Sequence, residues 1–215
     1  MLKFFVFTLG LYSALSFAAE SRFNAQSVWR PKPGEMGRIQ KTCTKALQRG
    51  QFQDVGDCFF TELKKRKVHS EVLRFVKMID NTGYMTHFKK IGPVDLAYVT
   101  YPFRANQNEG CYLVNGTPSL IDVDSPSVLS FKNYEIESSI DVVNLRSIYP
   151  QLSIFPESRR PDAGPQVVKN SKGEFEFIFK YSLKDGCRAC ALVGQLEVFY
   201  RFRADGKYEG YFTRH

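Results

Sequence analysis

The strongest constraint on the fold is a pattern of alternating residues near the C-terminal end of the chain. In residues 174–183, EFEFIFKYSL, every odd-numbered position is aromatic or aliphatic and most even-numbered positions are polar. Residues 192–202, LVGQLEVFYRF, show the same alternation with the apolar residues at even-numbered positions. Successive side chains of a strand point to opposite faces, so each segment predicts a β-strand with one apolar face.

These two strands are predicted to pair as an antiparallel hairpin. Directly opposed residues lie on the same face of a sheet. Placing Leu183 opposite Leu192, and Phe179 opposite Leu196, therefore brings the two apolar rows together on one face. This pairing leaves residues 184–191 as a loop at the end of the hairpin.

A second hairpin is predicted at Ala204-Asp205-Gly206, where Gly206 suits the left-handed position of a three-residue turn. The turn would set three pairs of residues opposite each other: Phe202 with Tyr208, Val198 with Phe212, and Arg201 with Glu209. Residues 174–213 would then form a three-stranded meander with one apolar face.

Three helical patterns precede the strands. The first begins at Met36 and ends at Gly50, the second covers residues 55–63, and the third begins at Ser70 as its N-cap. Each pattern is short and has one apolar face. Three short helices are therefore predicted at the start of the mature domain.

Further strand signals lie between the helices and the meander. Residues 94–103 are β-branched and aromatic, and residues 111–124 form two strand patterns around an Asn115-Gly116 turn. Residues 127–131 predict another strand, and residues 139–149 predict a short helix. The whole pattern predicts an α+β fold in which three short N-terminal helices pack on a curved antiparallel sheet ending in the C-terminal meander.

Residues 1–18 have the features of a secretory signal peptide. Lys3 is followed by an apolar run, and Ser16 and Ala18 occupy the −3 and −1 positions of a cleavage site. The apolar run is shorter than the roughly 20 residues of a membrane span. We therefore expect a cleaved signal peptide (1–18), an extended N-terminal arm (19–35) and a single α+β domain (36–215). The mature protein would be exported to a periplasm or to the medium, without a transmembrane span.

The chain is basic, with a formal net charge of +8 that falls by one when Lys3 leaves with the signal peptide. This balance permits attraction to an anionic surface, and we expect no nucleic-acid partner. The densest basic run, residues 64–67, follows a helical pattern, where a solvated helix end is the favoured interpretation and a surface-binding patch is the alternative. A surface-binding patch would comprise this run with other basic residues: Arg74, Lys77, Lys89 and Lys90.

Cys187 and Cys190 allow three interpretations. A redox-active pair needs its first sulfur at a helix N-terminus, whereas here the flanking segments are predicted to be antiparallel strands. A zinc site needs four ligands, and the sequence shows no second pair of suitable spacing. A structural disulfide that stiffens the loop is the favoured interpretation, because secreted chains form disulfides by default.

The other three of the five cysteines are less constrained. Cys43 and Cys58 lie on the inward faces of two consecutive predicted helices, where a disulfide and two reduced thiols are equally compatible with the pattern. Cys111 would then be the odd cysteine, and we expect it to be buried and unreactive.

A nucleophilic site could combine Cys111 with His87 and either Asp122 or Asp124. One cysteine and one histidine occur together easily by chance, so no catalytic residue is assigned, and no metal or cofactor is expected. Asn115-Gly116-Thr117 also matches the N-glycosylation sequon.

The sequence favours an exported binding or envelope-associated protein without an evident catalytic site. Its ligand is not indicated, and the residues expected to bind it lie in the loop: Lys184, Asp185 and Arg188. The alternative is a thiol-dependent enzyme that uses Cys187 and Cys190, or Cys111.

Overall fold

A computed structural model describes residues 22–52, 54–105, 108–124, 145, 147–157 and 160–214. The described part begins with three α-helices: α1 (Glu35–Gln48), α2 (Val55–Lys65) and α3 (Ser70–Met78). Nine strands follow: β1 (Tyr84–Lys89), β2 (Asp95–Thr100), β3 (Glu109–Val114), β4 (Leu120–Asp122), β5 (Leu152–Pro156), β6 (Gln166–Lys169), β7 (Phe175–Asp185), β8 (Leu192–Phe202) and β9 (Tyr208–Arg214). None of these helices combines the length and apolar character that a membrane crossing needs.

The strands form two antiparallel sheets. The first has the order β1-β2-β3-β4, and the second has the order β5-β7-β8-β9, with β6 also paired to β7. The predicted α+β class, the three N-terminal helices and the C-terminal meander are confirmed. The strands divide between two sheets, and the meander β7-β8-β9 belongs to the second one.

The first sheet is the middle layer of the protein. Along β2, Leu96 and Tyr98 lie in the apolar cluster shared with the second sheet, whereas Ala97 and Val99 lie in a cluster with α3. Both faces of β2 are thus buried, which explains why its sequence is nearly all apolar. The helices cover one face of the first sheet, and the second sheet covers the other.

The N-terminal arm is fixed to the first sheet by its single tryptophan. The backbone amide of Trp29 donates a hydrogen bond to the carbonyl of Met85 at 2.9 Å, and its ring centroid is 4.8 Å from that of Tyr84. The described part of the arm is not extended throughout, because Ala25–Ser27 forms a 3-10 turn. The helix starts also differ slightly from prediction: α1 begins at Glu35, and His69 rather than Ser70 caps α3.

The register of β7 and β8 differs by two residues from the predicted one. Phe179 lies opposite Val198, and Leu183 lies opposite Gly194. Between Phe175 and Leu183, a two-residue shift keeps every side chain on its predicted face, so alternation alone cannot distinguish the two registers. Leu192 is the exception, because it lies opposite Lys184 and is largely exposed instead of joining the apolar row. The strands pair further toward the tip than predicted, with a bulge after Leu183, and the loop shortens to residues 186–191.

The turn between β8 and β9 is confirmed, with Gly206 at a φ of 85° and Phe202 opposite Tyr208. A bulge next to Arg201 then shifts the remaining pairs by one residue, so the two other predicted pairs are wrong. Arg201 lies opposite Gly210, which has a φ of 125°, and its guanidinium is 2.9 Å from the Glu176 carboxylate. Phe212 consequently lies on the other face, opposite Phe199.

The predicted hairpin around Asn115-Gly116 is confirmed, because β3 and β4 pair antiparallel on either side of it, but the connection is the five-residue loop 115–119. This loop connects the two sheets: the Thr117 amide donates to the Gly206 carbonyl, and the Tyr208 amide donates to the Thr117 carbonyl, both at 2.9 Å. The predicted strand at 127–131 and most of the predicted helix at 139–149 lie outside the described residues.

Candidate functional site

The tip of the β7–β8 hairpin contains the three residues that were predicted to bind a ligand. Lys184 and Asp185 end β7, and Arg188 lies in the turn that follows. Asp185 is exposed, while Lys184 and Arg188 are half-buried. The Asp185 amide donates to the Ala191 carbonyl at 3.1 Å, which closes the hairpin just below these side chains.

Cys187 and Cys190 form the turn at the end of the hairpin. The Cys190 amide donates to the Cys187 carbonyl at 3.0 Å, as in a hydrogen-bonded β-turn. The two sulfur atoms lie at disulfide distance, 2.21 Å apart. Cys187 stands between antiparallel strands and begins no helix, so the helix N-terminus that activates a redox cysteine is not available to it.

Strand β5 supports the tip from one side, and sequence reasoning missed it. Leu152 pairs with Asp185, and the Arg188 Nη2 donates to the Pro156 carbonyl at 3.5 Å. The Arg188 guanidinium also lies 5.2 Å from the centroid of the Phe155 ring, a cation–π distance. Arg188 is therefore positioned by its neighbours. The five residues of β5 are too few for a periodic signal to stand out.

An exposed apolar side chain adjoins the charged residues. Leu192 is the first residue of β8, lies opposite Lys184 and is 52% exposed. The tip thus presents two cations, one carboxylate and an apolar side chain on a closed hairpin. Such a set can bind an anionic group through the two cations, although the carboxylate reduces their attraction for it.

The second cysteine pair lies in the helical part of the core. Cys43 on α1 and Cys58 on α2 have sulfur atoms 2.16 Å apart and Cα atoms 5.5 Å apart, which is disulfide distance. They are 0% and 1% exposed, in an apolar cluster with Trp29 and Phe59. This pair therefore links the first two helices from inside the fold.

The candidate nucleophilic group is not brought together. Cys111 is fully buried, and burial, with the nearby carboxylates of Asp124 and Asp122, raises the pKa of its thiol well above the ordinary value. His87 lies on β1 and Cys111 on β3, with Tyr98 of β2 paired to both. Two strand spacings separate them by roughly 10 Å, beyond hydrogen-bond reach.

The two aspartates adjoin a pair of buried tyrosines instead. The Tyr101 and Tyr112 hydroxyls are 2.8 Å apart, and burial is the main cause that raises the pKa of both. The Asp124 amide donates to Asp122 Oδ1 at 2.8 Å, a local turn contact. Among the described residues, no group of three or more histidine, cysteine or acidic residues could hold a metal ion.

The sequon residue Asn115 has a structural role that sequence reasoning missed. Its side chain accepts a hydrogen bond from the Phe23 amide at 2.6 Å and donates to the Phe23 carbonyl and to Asp95 Oδ2, both at 2.8 Å. The carboxamide thus holds the N-terminal arm. The partners are 92 residues apart, so no local pattern indicates the contact.

The basic run at the end of α2 is partly neutralised by acidic neighbours. Lys65 lies 2.9 Å from Glu62, and Arg66 pairs with both Glu62 and Glu35. Burial alone would raise the pKa of Glu62, but hydrogen bonds from Lys65 and Arg66 hold it below its usual range. Arg74 is likewise paired with Glu71 at 2.7 Å. These pairs reduce the positive field that the patch can present.

Comparison with protein-family models, with curated proteins and with solved structures finds no match to this chain. Among the described residues, the tip of the β7–β8 hairpin is the best candidate site.

Proposed function

We propose that this protein is an exported binding protein that attaches to the anionic surface of the cell envelope through the tip of its β7–β8 hairpin. The observation that carries the proposal is the placement of Arg188, which β5 holds through the Pro156 carbonyl and the Phe155 ring. Lys184 and the exposed Leu192 lie beside the same turn.

A cation held in place binds an anion at lower entropic cost than a flexible one, because fewer rotamers are lost on binding. Arginine is also suited to phosphate and carboxylate groups, since its planar guanidinium offers several donors in a fixed arrangement. Leu192 adds an apolar contact of the kind that favours a lipid interface over bulk water. The tip therefore fits phosphate headgroups at a membrane surface.

Export is supported by the signal-like residues 1–18 and by the two cysteine pairs at disulfide distance, since disulfides persist in oxidising compartments. The proposal predicts that the mature protein begins at Ala19. Intact-mass measurement of protein from the exported fraction tests this directly, and a mass that retains residues 1–18 would contradict it.

The binding site is tested with vesicles of phosphatidylglycerol and phosphatidylcholine, with pure phosphatidylcholine vesicles as the neutral reference. We expect the wild-type protein to sediment with the anionic vesicles and to be released as salt rises. The double variant K184A/R188A should lose most of this binding. The matched control R203A/K207A removes the same charge from the other turn of the meander and should bind like the wild type.

Two outcomes would contradict the proposal. If K184A/R188A and R203A/K207A bind equally, the charge at the tip has no special role. If instead K64A/K67A abolishes binding and K184A/R188A does not, the basic run at the end of α2 is the attachment surface. Circular dichroism of each variant shows whether the fold is retained.

A further inference from the structure

We infer that Cys187–Cys190 is a thiol–disulfide exchange site, which a dithiol reductant opens while Cys43–Cys58 stays closed. The protein is then the substrate of the exchange, and the exchange changes the tip of the hairpin without unfolding the chain. This inference goes beyond the proposed function, because it requires neither a ligand nor a membrane surface.

Access to sulfur distinguishes the two cysteine pairs. Cys187 is exposed and Cys190 is half-buried, whereas Cys43 and Cys58 are almost completely buried. An attacking thiolate must reach a disulfide sulfur directly, so exposure controls the rate. The tip pair can be attacked in the folded protein, but the helical pair can be attacked only after α1 and α2 separate locally.

The charges beside the tip pair favour the same reaction. Arg188 lies between the two cysteines, and Lys184 is close in sequence, while Asp185 is the only acidic residue in the segment 184–191. Positive charge attracts an incoming thiolate and stabilises the thiolate that leaves. Cys43 lies in the apolar cluster of the helices, a setting that disfavours a thiolate.

The hairpin does not depend on the sulfur–sulfur bond for its backbone structure. The amide of Asp185 bonds the Ala191 carbonyl, and the two strands remain paired from Phe175 to Lys184. Opening the disulfide should therefore loosen only the turn. Arg188 would lose the closed turn that holds it against β5, so the change would be local to the tip.

The exchange proceeds in two balanced steps. One thiolate of the dithiol attacks the Cys187 sulfur, the Cys187–Cys190 bond breaks, and Cys190 leaves as a thiolate. The second thiol of the reductant, as its thiolate, then attacks the mixed disulfide and releases Cys187. The reductant ends as a disulfide, and its two protons are transferred to the two cysteine thiolates. The protein gains two electrons, and the reductant loses two.

The test exposes the full mature protein, under native conditions, to increasing concentrations of dithiothreitol. Free thiols are then alkylated, and labelled peptides are located by mass spectrometry. We expect Cys187 and Cys190 to be labelled at a reductant concentration about tenfold or more below that needed for Cys43 and Cys58. Added denaturant should abolish the difference, because it exposes both pairs.

Amide NMR spectra of the reduced and oxidised protein provide the second measurement. Changes on mild reduction should be confined to residues 184–192 and 151–155. The inference fails if both pairs are reduced at the same concentration, if Cys43 and Cys58 are reduced first, or if mild reduction alters the spectrum throughout the chain. The variant C187S/C190S is the matched control, since its spectrum should not respond to mild reduction.

Discussion

The two cysteine pairs should contribute differently to stability, because they close loops of different length. Cys43 and Cys58 are separated by 15 residues in sequence, and Cys187 and Cys190 by 3. A cross-link stabilises the folded state mainly by restricting the unfolded chain, by about 3 kcal/mol for a 15-residue loop and by roughly 2 kcal/mol for the shortest loops. The helical pair should therefore contribute more.

Packing further increases the difference between the contributions of the two cysteine pairs to stability. The double variant C43A/C58A removes two sulfur atoms from a fully buried cluster, and the resulting space should cost about 1 kcal/mol in addition. The variant C187A/C190A removes sulfur atoms from a turn that is partly in solvent, where this cost is small. We expect losses of about 4 kcal/mol and about 2 kcal/mol respectively.

Urea unfolding followed by circular dichroism measures both losses. The slope m should rise in each variant, because an unfolded chain without a cross-link exposes more surface. Reduced wild-type protein is the control, since it lacks the cross-links but keeps the sulfur atoms. Loop length and packing do not determine the two contributions if C187A/C190A loses as much free energy of unfolding as C43A/C58A, or if C43A/C58A loses none.

Three further substitutions test other parts of the structure. Asn115→Ala removes three hydrogen bonds at the arm, so the free energy of unfolding should fall by about 2 kcal/mol. Hydrogen exchange at the Phe23 amide should accelerate, and unchanged exchange would contradict the contact. Tyr181→Phe removes the hydroxyl that donates to the Val123 carbonyl at 2.7 Å. The free energy of unfolding, measured in urea, should fall by about 1–2 kcal/mol, and no loss would show that this hydrogen bond between the sheets is unimportant. Glu62→Gln should cost about 1 kcal/mol at neutral pH, measured by thermal unfolding. Because the folded-state pKa of Glu62 is lowered, its contribution is present above the unfolded-state pKa and is lost as the pH falls through the folded-state pKa. The wild type and this variant should therefore converge in acid, and a constant difference down to low pH would contradict the ion pairs.

The faces of β7, and of β8 from Gly194 onward, could be predicted from the sequence, whereas the register of the meander and the faces of β9 could not. Alternation places Phe179 and Val198 on the buried face in any register that differs by an even number of residues. The observed register depends on a bulge after Leu183, and a bulge leaves no periodic signal. The same limit applied at Arg201, where a second bulge moved Phe212 to the other face.

The division into two sheets also could not be predicted. The nearly continuous apolar run of β2 is typical of a strand covered on both faces, but it is equally typical of other buried segments. The layer that covers each face comes from distant parts of the chain, such as Phe75 of α3 on one side and Phe177 of β7 on the other. Only tertiary structure brings these segments together.

The position of the candidate site at the hairpin tip was predictable, whereas the contacts with β5 that hold Arg188 were not. The spacing of Cys187 and Cys190 between two strand patterns indicated a turn at the hairpin tip, and the structure places them there. The contacts that fix Arg188 come from β5, more than 30 residues earlier in the chain. Neither the composition nor the periodicity of that segment indicated such a role.

The proposed attachment site can be tested most directly by NMR of the isotopically labelled protein titrated with small bicelles that contain phosphatidylglycerol. The account predicts that amide shifts change first at residues 184–192 and at Phe155, and that salt reverses the changes. Shifts concentrated at residues 64–77, or changes that are the same with neutral bicelles, would contradict it.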